Sequence, residues 1–143
     1  MPHLVILYTP NLDPDADMNA LCRKLADAML QVRDETGQQV FPTGGTRVLA
    51  YPAAHFAIAD GGAAGEGAGL GRDYAFVYMN VRMAKGRSAL VHQRVGETLN
   101  ACVRQWFGPQ FERRPIGVTV QVDEGHEVFD AKTSSLHPLF NKT

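Results

Sequence analysis

The 143-residue sequence has no excess of charge of either sign, because 14 Lys and Arg residues face 15 Asp and Glu residues and the formal net charge is −1. A general nucleic-acid binder carries a basic excess, so this balance argues against that class of protein. Apolar runs are short and stay far below the roughly 20 residues that a transmembrane helix needs. We therefore predict neither a nucleic-acid partner nor a membrane partner.

Cysteine is scarce, and no basic segment precedes an apolar stretch at the start of the chain. Without such a segment we expect no signal peptide and take the cytoplasm as the location. The two cysteines, Cys22 and Cys102, both lie in helical patterns. We interpret them as buried, reduced thiols, with a disulfide or a reactive thiol as the alternatives.

Patterns for the common catalytic centres are also missing. No two histidines share a helix at the spacing of metal ligands, and no histidine clusters with carboxylates, so we expect no metal site. There is no nucleophile elbow and no clear Ser-His-Asp arrangement. The five histidines are scattered over the chain: His3, His55, His92, His126 and His137.

The residues that are present predict a strand, a helix and a strand within about residues 2–60. His3–Tyr8 is aliphatic and β-branched, Met18–Val32 repeats its apolar residues every three or four positions, and Thr46–Tyr51 resembles a second strand. Acidic residues favoured at helix starts precede the helix: Asp13, Asp15 and Asp17.

The same order recurs within about residues 72–122. Asp73–Met83 predicts a long strand, and Ile116–Val122 a last strand with period-two alternation. Between them Ser88 is a suitable N-cap for a helix that we expect Gly108-Pro109 to end. The apolar stripe of that helix consists of Val91, Val95, Leu99, Cys102, Val103 and Trp106.

These halves predict a single α+β domain over 1–143, built from two tandem β-α-β units. Each unit pairs its strands in parallel, and together they form a four-stranded mixed sheet with two helices on one face. The glycine-rich joint at 61–71 lacks the P-loop ending and the dinucleotide spacing, so we expect a flexible surface loop. The other sheet face is left bare, which predicts an oligomer with sheets packed face to face.

Pro2 is the most unusual candidate for chemistry. If Met1 is removed, Pro2 exposes a secondary amine, whereas a proline nitrogen inside a chain is not basic. Partial burial and nearby guanidinium groups disfavour the cation of such an amine and lower its pKa towards neutrality. An amine of that kind is suited to move a proton within a substrate. The alternative is that Pro2 is an ordinary second residue.

Several short segments together are typical of one family. In order they are Pro2-His3, Phe41-Pro42 ahead of Arg47, Asp73-Tyr74-Ala75-Phe76-Val77 with Met79, Gly86-Arg87-Ser88, and Leu136-His137-Pro138-Leu139-Phe140. On these residues most of the chain resembles the 5-carboxymethyl-2-hydroxymuconate Δ-isomerase family of the tautomerase superfamily.

The resemblance implies a homotrimer that isomerises a polycarboxylate dienol in the 4-hydroxyphenylacetate (homoprotocatechuate) route, without cofactor or metal. It also implies that Pro2 is the general base and acid, and that Arg47 and Arg87 bind substrate carboxylates. Two alternatives stay open. One is a tautomerase of another α-keto acid, such as an arylpyruvate, and the other is a non-catalytic trimeric binding protein of the same fold. The alternative interpretation of the two arginines is structural: Arg47 is an exposed residue at a strand end, and Arg87 is a surface residue in a turn.

Overall fold

Strands and α-helices alternate along residues 2–140, the part of the chain that the computed structural model describes. Short 3₁₀ turns lie at Pro10–Leu12, Thr43–Gly45 and His137–Phe140. The main elements are β1 (His3–Tyr8), α1 (Met18–Leu30), β2 (Arg47–Pro52), α2 (Ala63–Gly67), β3 (Ala75–Met83), α3 (Ala89–Arg113) and β4 (Ile116–Glu124). Within these residues no helix is both long enough and apolar enough to cross a bilayer.

The four strands form one mixed sheet in the order β2-β1-β3-β4. β1 pairs in parallel with β2, β3 pairs in parallel with β4, and the two halves meet through the antiparallel pair β1–β3. The helices α1 and α3 contact each other and the sheet, so they share one of its faces. The predicted fold of two β-α-β units is therefore confirmed.

The core lies between this sheet face and the two helices. Alternate residues of the central strands point into it because side chains of a strand alternate between faces, and the helices contribute their apolar stripes. Cys22 and Cys102 are free thiols that pack beside the core and are half-buried rather than fully buried. The fully buried side chains include Leu4, Ile6, Val77, Met79, Val81, Leu21, Leu25, Met29, Val95 and Leu99.

The opposite face of the sheet is uncovered in the single chain. Leu7, Leu49, Tyr51 and Phe76 are among its exposed side chains, and Leu7 and Tyr51 are register partners. The remainder of this face is polar, and across β3 and β4 the Tyr78 hydroxyl donates to Gln121 Oε1 at 2.7 Å. The face is thus only partly apolar.

The two helix starts differ in how they use their polar residues. Ser88 caps α3 as predicted, because its Oγ accepts the Val91 N–H at 3.2 Å. Of the three acidic residues before α1, only Asp17 caps the helix, by accepting the Ala20 N–H at 3.0 Å. Asp13 instead accepts the Tyr8 hydroxyl at 2.9 Å, and Asp15 lies 3.6 Å from the Arg114 guanidinium.

The prediction that Gly108-Pro109 ends the second long helix is wrong, because α3 continues to Arg113. Proline disfavours a helical residue before it through a clash with that residue's Cβ, and Gly108 has none. Beyond Pro109, the buried Gln110 side chain donates to the Asp15 carbonyl at 3.3 Å. Tertiary packing therefore offsets the backbone hydrogen bond that proline cannot donate.

The prediction of a flexible loop at 61–71 is also wrong, because this surface segment contains the short helix α2. The Asp60 carboxylate accepts the Gly62 and Ala64 N–H groups at 3.0 and 2.9 Å. The Gly65 N–H donates to the Tyr74 hydroxyl at 2.9 Å, and Gly65 is buried. These contacts depend on Asp60 and Tyr74, which flank the glycine-rich segment, so the glycine content alone does not indicate them.

The loop between α1 and β2 is organised by Asp34. Its Oδ1 accepts the Thr36 hydroxyl at 2.6 Å and the backbone N–H groups of Thr36 and Gln38 at 2.9 and 3.0 Å. The hydrogen bond from the Thr36 side chain is the largest cause that lowers the pKa of Asp34, with smaller contributions from Gln38 and Arg87. The turn holds the start of the segment that leads to Val40 and Phe41.

Replacing Gly65 by alanine should destabilise the protein, because a Cβ there would lie 2.7 Å from Tyr74 Cε1 and also too close to the Gly71 carbonyl. We expect the free energy of unfolding to fall by about 1–3 kcal/mol, as for other overpacked sites. Gly67→Ala is the matched control in α2, since a Cβ at Gly67 meets nothing within 4 Å. Equal urea midpoints for the two variants would contradict the close packing of Gly65 in the segment 61–71.

Asp34→Asn should lower stability at neutral pH, and this difference should become smaller in acid. A carboxyl whose pKa is lowered by folding stabilises the protein above its unfolded pKa, near 3.9, and loses that contribution as pH falls through the folded pKa. Urea unfolding at pH 7 and pH 3 measures the change. Asp27→Asn on α1 serves as control, because its ion pair with Arg23 is exposed. A loss that is the same at both pH values would show that the Asp34 charge is not involved.

Candidate active site

Pro2 lies immediately before β1, is buried, and lines a cavity of about 470 Å³. Three other parts of the chain form the walls. They are the segment 40–45 ahead of β2, the connection between β3 and α3 at residues 83–87, and the C-terminal segment at residues 132–138. The cavity is therefore built from residues that are far apart in the sequence.

Strand register explains why these parts meet. His3 pairs with Arg82 across the antiparallel pair, so the end of β3 and the residues after it lie beside Pro2. The chain turns there through Gly86, whose φ of +103° favours glycine. Arg87 follows directly and shares the Pro2 cavity.

The Arg87 guanidinium is held by groups of the α1–β2 loop. One terminal nitrogen donates to the Val40 carbonyl at 3.0 Å, and the other lies 3.7 Å from the Asp34 carboxylate. A guanidinium carries five N–H groups, and the Val40 carbonyl occupies one of them. The side chain is 36% exposed, so this cation is both positioned and accessible.

Arg47 does not line the Pro2 cavity. It is the register partner of His3, and because side chains alternate along a strand, His3 and Pro2 belong to opposite faces of the sheet. Arg47 instead lines a neighbouring cavity of about 330 Å³ together with His3 and Arg82. Burial, and then the positive charge of Arg47, lowers the pKa of His3.

The two cavities are adjacent. Met83, Ala84 and Lys132 line both of them and form the wall between the two. Of the residues predicted from sequence, the structure thus brings Pro2 and Arg87 into one cavity and puts Arg47 into the next one.

The C-terminal segment adds lining residues that sequence reasoning missed, namely Lys132, Ser134 and His137. His137 Nδ1 is buried and has no hydrogen-bond partner among residues 2–140. The segment from 125 to 136 forms neither helix nor strand, so it carries no periodicity that would indicate burial. The only sequence feature that indicated a role for the C-terminal segment was the stretch 136–140, one of the short segments that carry the family resemblance.

The lining of the Pro2 cavity combines apolar side chains with positive charge. Val40, Phe41 and Met83 supply apolar surface, Arg87 and Lys132 are the cations, and none of the described lining residues is acidic. Such a lining suits an anion with an unsaturated or otherwise apolar body. Within the described residues, His, Cys, Asp and Glu side chains form no group of three that would hold a metal ion.

Comparison with known proteins finds relatives that match nearly the whole chain. A curated 5-carboxymethyl-2-hydroxymuconate Delta-isomerase of Escherichia coli is 27% identical over 140 residues, which is 98% of this chain and 99% of that protein. A crystal structure of a 5-carboxymethyl-2-hydroxymuconate isomerase from Deinococcus radiodurans R1 is 28% identical with a TM-score of 0.81, and the match covers 99% of this chain and 95% of that chain.

A further solved structure, of a 5-carboxymethyl-2-hydroxymuconate delta-isomerase, is 60% identical with a TM-score of 0.96 and covers all of this chain and 95% of that chain. The family model for 5-carboxymethyl-2-hydroxymuconate isomerase matches residues 2–140. The resemblance drawn from the short segments is thereby confirmed. The chain belongs to the 5-carboxymethyl-2-hydroxymuconate isomerase family of enzymes.

Proposed function

We propose that this protein converts a dienol of the 5-carboxymethyl-2-hydroxymuconate type into its conjugated keto isomer, and that it does so without a metal or cofactor. The observation that carries the proposal is the shared cavity of Pro2 and Arg87. Membership in the isomerase family supports the reaction class. The positively charged, partly apolar lining supports an unsaturated polycarboxylate as the substrate.

Pro2 is the proposed acid and base. Once Met1 has been removed, its nitrogen is a secondary amine with a lone pair, which an internal proline amide does not offer. An α-amino group titrates near 8, and both burial of Pro2 and the nearby Arg87 cation favour the neutral amine. The amine takes the hydroxyl proton of the dienol and returns a proton to a carbon of the conjugated chain. The double bonds shift, and no other reactant is consumed.

Arg87 is the proposed partner of a substrate carboxylate. Its planar fork of N–H donors suits a carboxylate, and its positive charge also stabilises the negative charge of the dienolate. The Val40 carbonyl fixes the orientation of the guanidinium before substrate arrives. Little reorganisation is therefore needed during the reaction.

Arg47 and the homotrimer complete the proposal. Arg47 lines the adjacent cavity, which is separated from the Pro2 cavity by Met83, Ala84 and Lys132. A substrate that extends past these residues would meet Arg47 as a further cation. The exposed apolar residues of the uncovered sheet face, such as Leu49, Tyr51 and Phe76, support an assembly in which sheets pack on each other. We propose three subunits in this assembly because the family resemblance implies a homotrimer.

Blocking the Pro2 nitrogen should abolish turnover. Acetylation of Pro2, or retention of Met1 as verified by intact-mass measurement, leaves an amide that has no basic lone pair. Pro2→Ala keeps a primary amine that can still exchange protons, so we expect kcat to fall by less than the roughly 10²- to 10⁴-fold that a general acid–base group contributes. Pro14→Ala, at an exposed position, is the control and should keep full activity. Full activity of the blocked protein would refute the role of Pro2.

Arg87→Met should reduce kcat/KM for the dienol by about 10- to 150-fold, which corresponds to a lost charge-assisted contact of about 1.5–3 kcal/mol. Arg104→Met removes the same charge from an exposed position on α3 and should change little. Assays with a tricarboxylate dienol and with an arylpyruvate enol separate the two candidate substrate classes. Preference for the monocarboxylate would overturn the polycarboxylate proposal, and turnover of neither would favour a binding protein.

A further inference from the structure

The Pro2 cavity has a second cation that comes from the C-terminal segment. Lys132 lines this cavity together with Arg87, and none of the described lining residues is acidic. The proposed substrate carries three carboxylates, and Arg47 lies outside this cavity. A carboxylate in the Pro2 cavity therefore has two cations in its surroundings, Lys132 and Arg87.

The sheet brings the C-terminal segment to this site. β4 runs parallel to β3, and Glu124 pairs with Met83, so the two strands end side by side next to Pro2. The Gly125 N–H then donates to the Met83 carbonyl at 2.8 Å, which holds the chain at this edge as it leaves the sheet. Lys132 follows seven residues later at the wall between the two cavities.

The far end of the segment is anchored as well. The 3₁₀ turn His137–Phe140 packs against the 3₁₀ turn Thr43–Gly45. Gly44 makes room for this contact, because a Cβ there would lie 2.9 Å from the His137 Cα and from its Nδ1. The Ser134 hydroxyl accepts the Leu136 and His137 N–H groups at 3.1 and 3.0 Å. Lys132 thus projects from a segment that is held at both ends.

We propose that Lys132 binds a carboxylate of the substrate, and that the C-terminal segment thereby makes the cavity selective for polycarboxylates. This inference rests on the proposed function. The long, flexible stem of lysine and its three N–H donors suit a carboxylate whose position varies between substrates. Arg87 gives fixed recognition, because its guanidinium is held by the Val40 carbonyl, and Lys132 gives adaptable recognition.

Asp130 is the existing partner of Lys132, with Oδ2 at 2.7 Å from Nζ. The two side chains are 51% and 47% exposed, and ion pairs of this exposure contribute little to stability. Asp130 lines the adjacent cavity and not that of Pro2. A substrate carboxylate in the Pro2 cavity can therefore replace or share this contact at little cost.

The test compares Lys132→Met with Lys85→Met. Lys85 is exposed in the turn between Ala84 and Arg87 but does not line the cavity, so its variant removes the same charge close to the site. The probes are propane-1,2,3-tricarboxylate and pentanedioate, which share a five-carbon backbone and differ by one carboxylate. Calorimetric titration of each variant gives the ratio of the two affinities, and Lys132→Arg tests rescue by another cation.

We expect Lys132→Met to reduce the preference for the tricarboxylate by about tenfold, the equivalent of one charge-assisted contact. Lys85→Met should change that preference by less than about twofold, as for an exposed charge without a partner, and Lys132→Arg should keep most of it. An unchanged preference in Lys132→Met, an equal loss in Lys85→Met, or no preference in the unmodified protein would each overturn the proposal.

Kinetics with the tricarboxylate dienol separates this inference from the proposed function. Lys132→Met should raise KM about tenfold while kcat changes by less than about threefold, because the contact binds substrate and does not move the proton. An unmodified protein that binds the tricarboxylate through Lys132 but turns over no dienol would refute the function alone. Turnover that is indifferent to Lys132 in both KM and kcat would refute the role of Lys132 alone.

Discussion

The antiparallel pairing of β1 with β3 decides where the start of the chain lies, and the cavity depends on it. β1 is a central strand, so residues that precede it are flanked by both neighbours. Because β3 runs the opposite way, its end at Met83 lies beside the start of β1. β2 starts at this edge because it is parallel to β1, and β4 ends there because it is parallel to β3. Three other segments of the chain therefore meet around Pro2.

The charged side chains among the described lining residues of the Pro2 cavity are all positive. Arg87 and Lys132 face the cavity, while the carboxylates that accompany them, Asp34 and Asp130, lie outside its lining. Each cation thus has a counter-charge that keeps it in place without neutralising the cavity itself. On the proposed function, the same positive lining attracts a polyanion and disfavours the protonated form of the Pro2 amine. Binding and proton transfer would then depend on one arrangement of charges.

The secondary structure was largely predictable because it follows from local periodicity. β1 lies at His3–Tyr8 as predicted, and the helical repeat around Leu21 and Leu25 indicated α1 correctly. The errors came where side-chain contacts override local preference. Gln110 helps α3 to continue past a glycine-proline pair through a contact with Asp15, which is distant in the sequence. The Tyr74 hydroxyl helps to organise a nearby glycine-rich segment that in isolation favours disorder. Neither partner can be identified from residue type or periodicity.

The sequence by itself determined the order of the elements, the pairing of strands within each half, and the singular position of Pro2, since these depend on side-chain patterns and on proline chemistry. The tertiary structure decided which cations accompany Pro2. Strand alternation directs Arg47 and Pro2 to opposite faces, while the turn after β3 brings Arg87 into the cavity. Lys132 comes from a segment without periodicity, and only the parallel pairing of β4 with β3 brings it to the same edge.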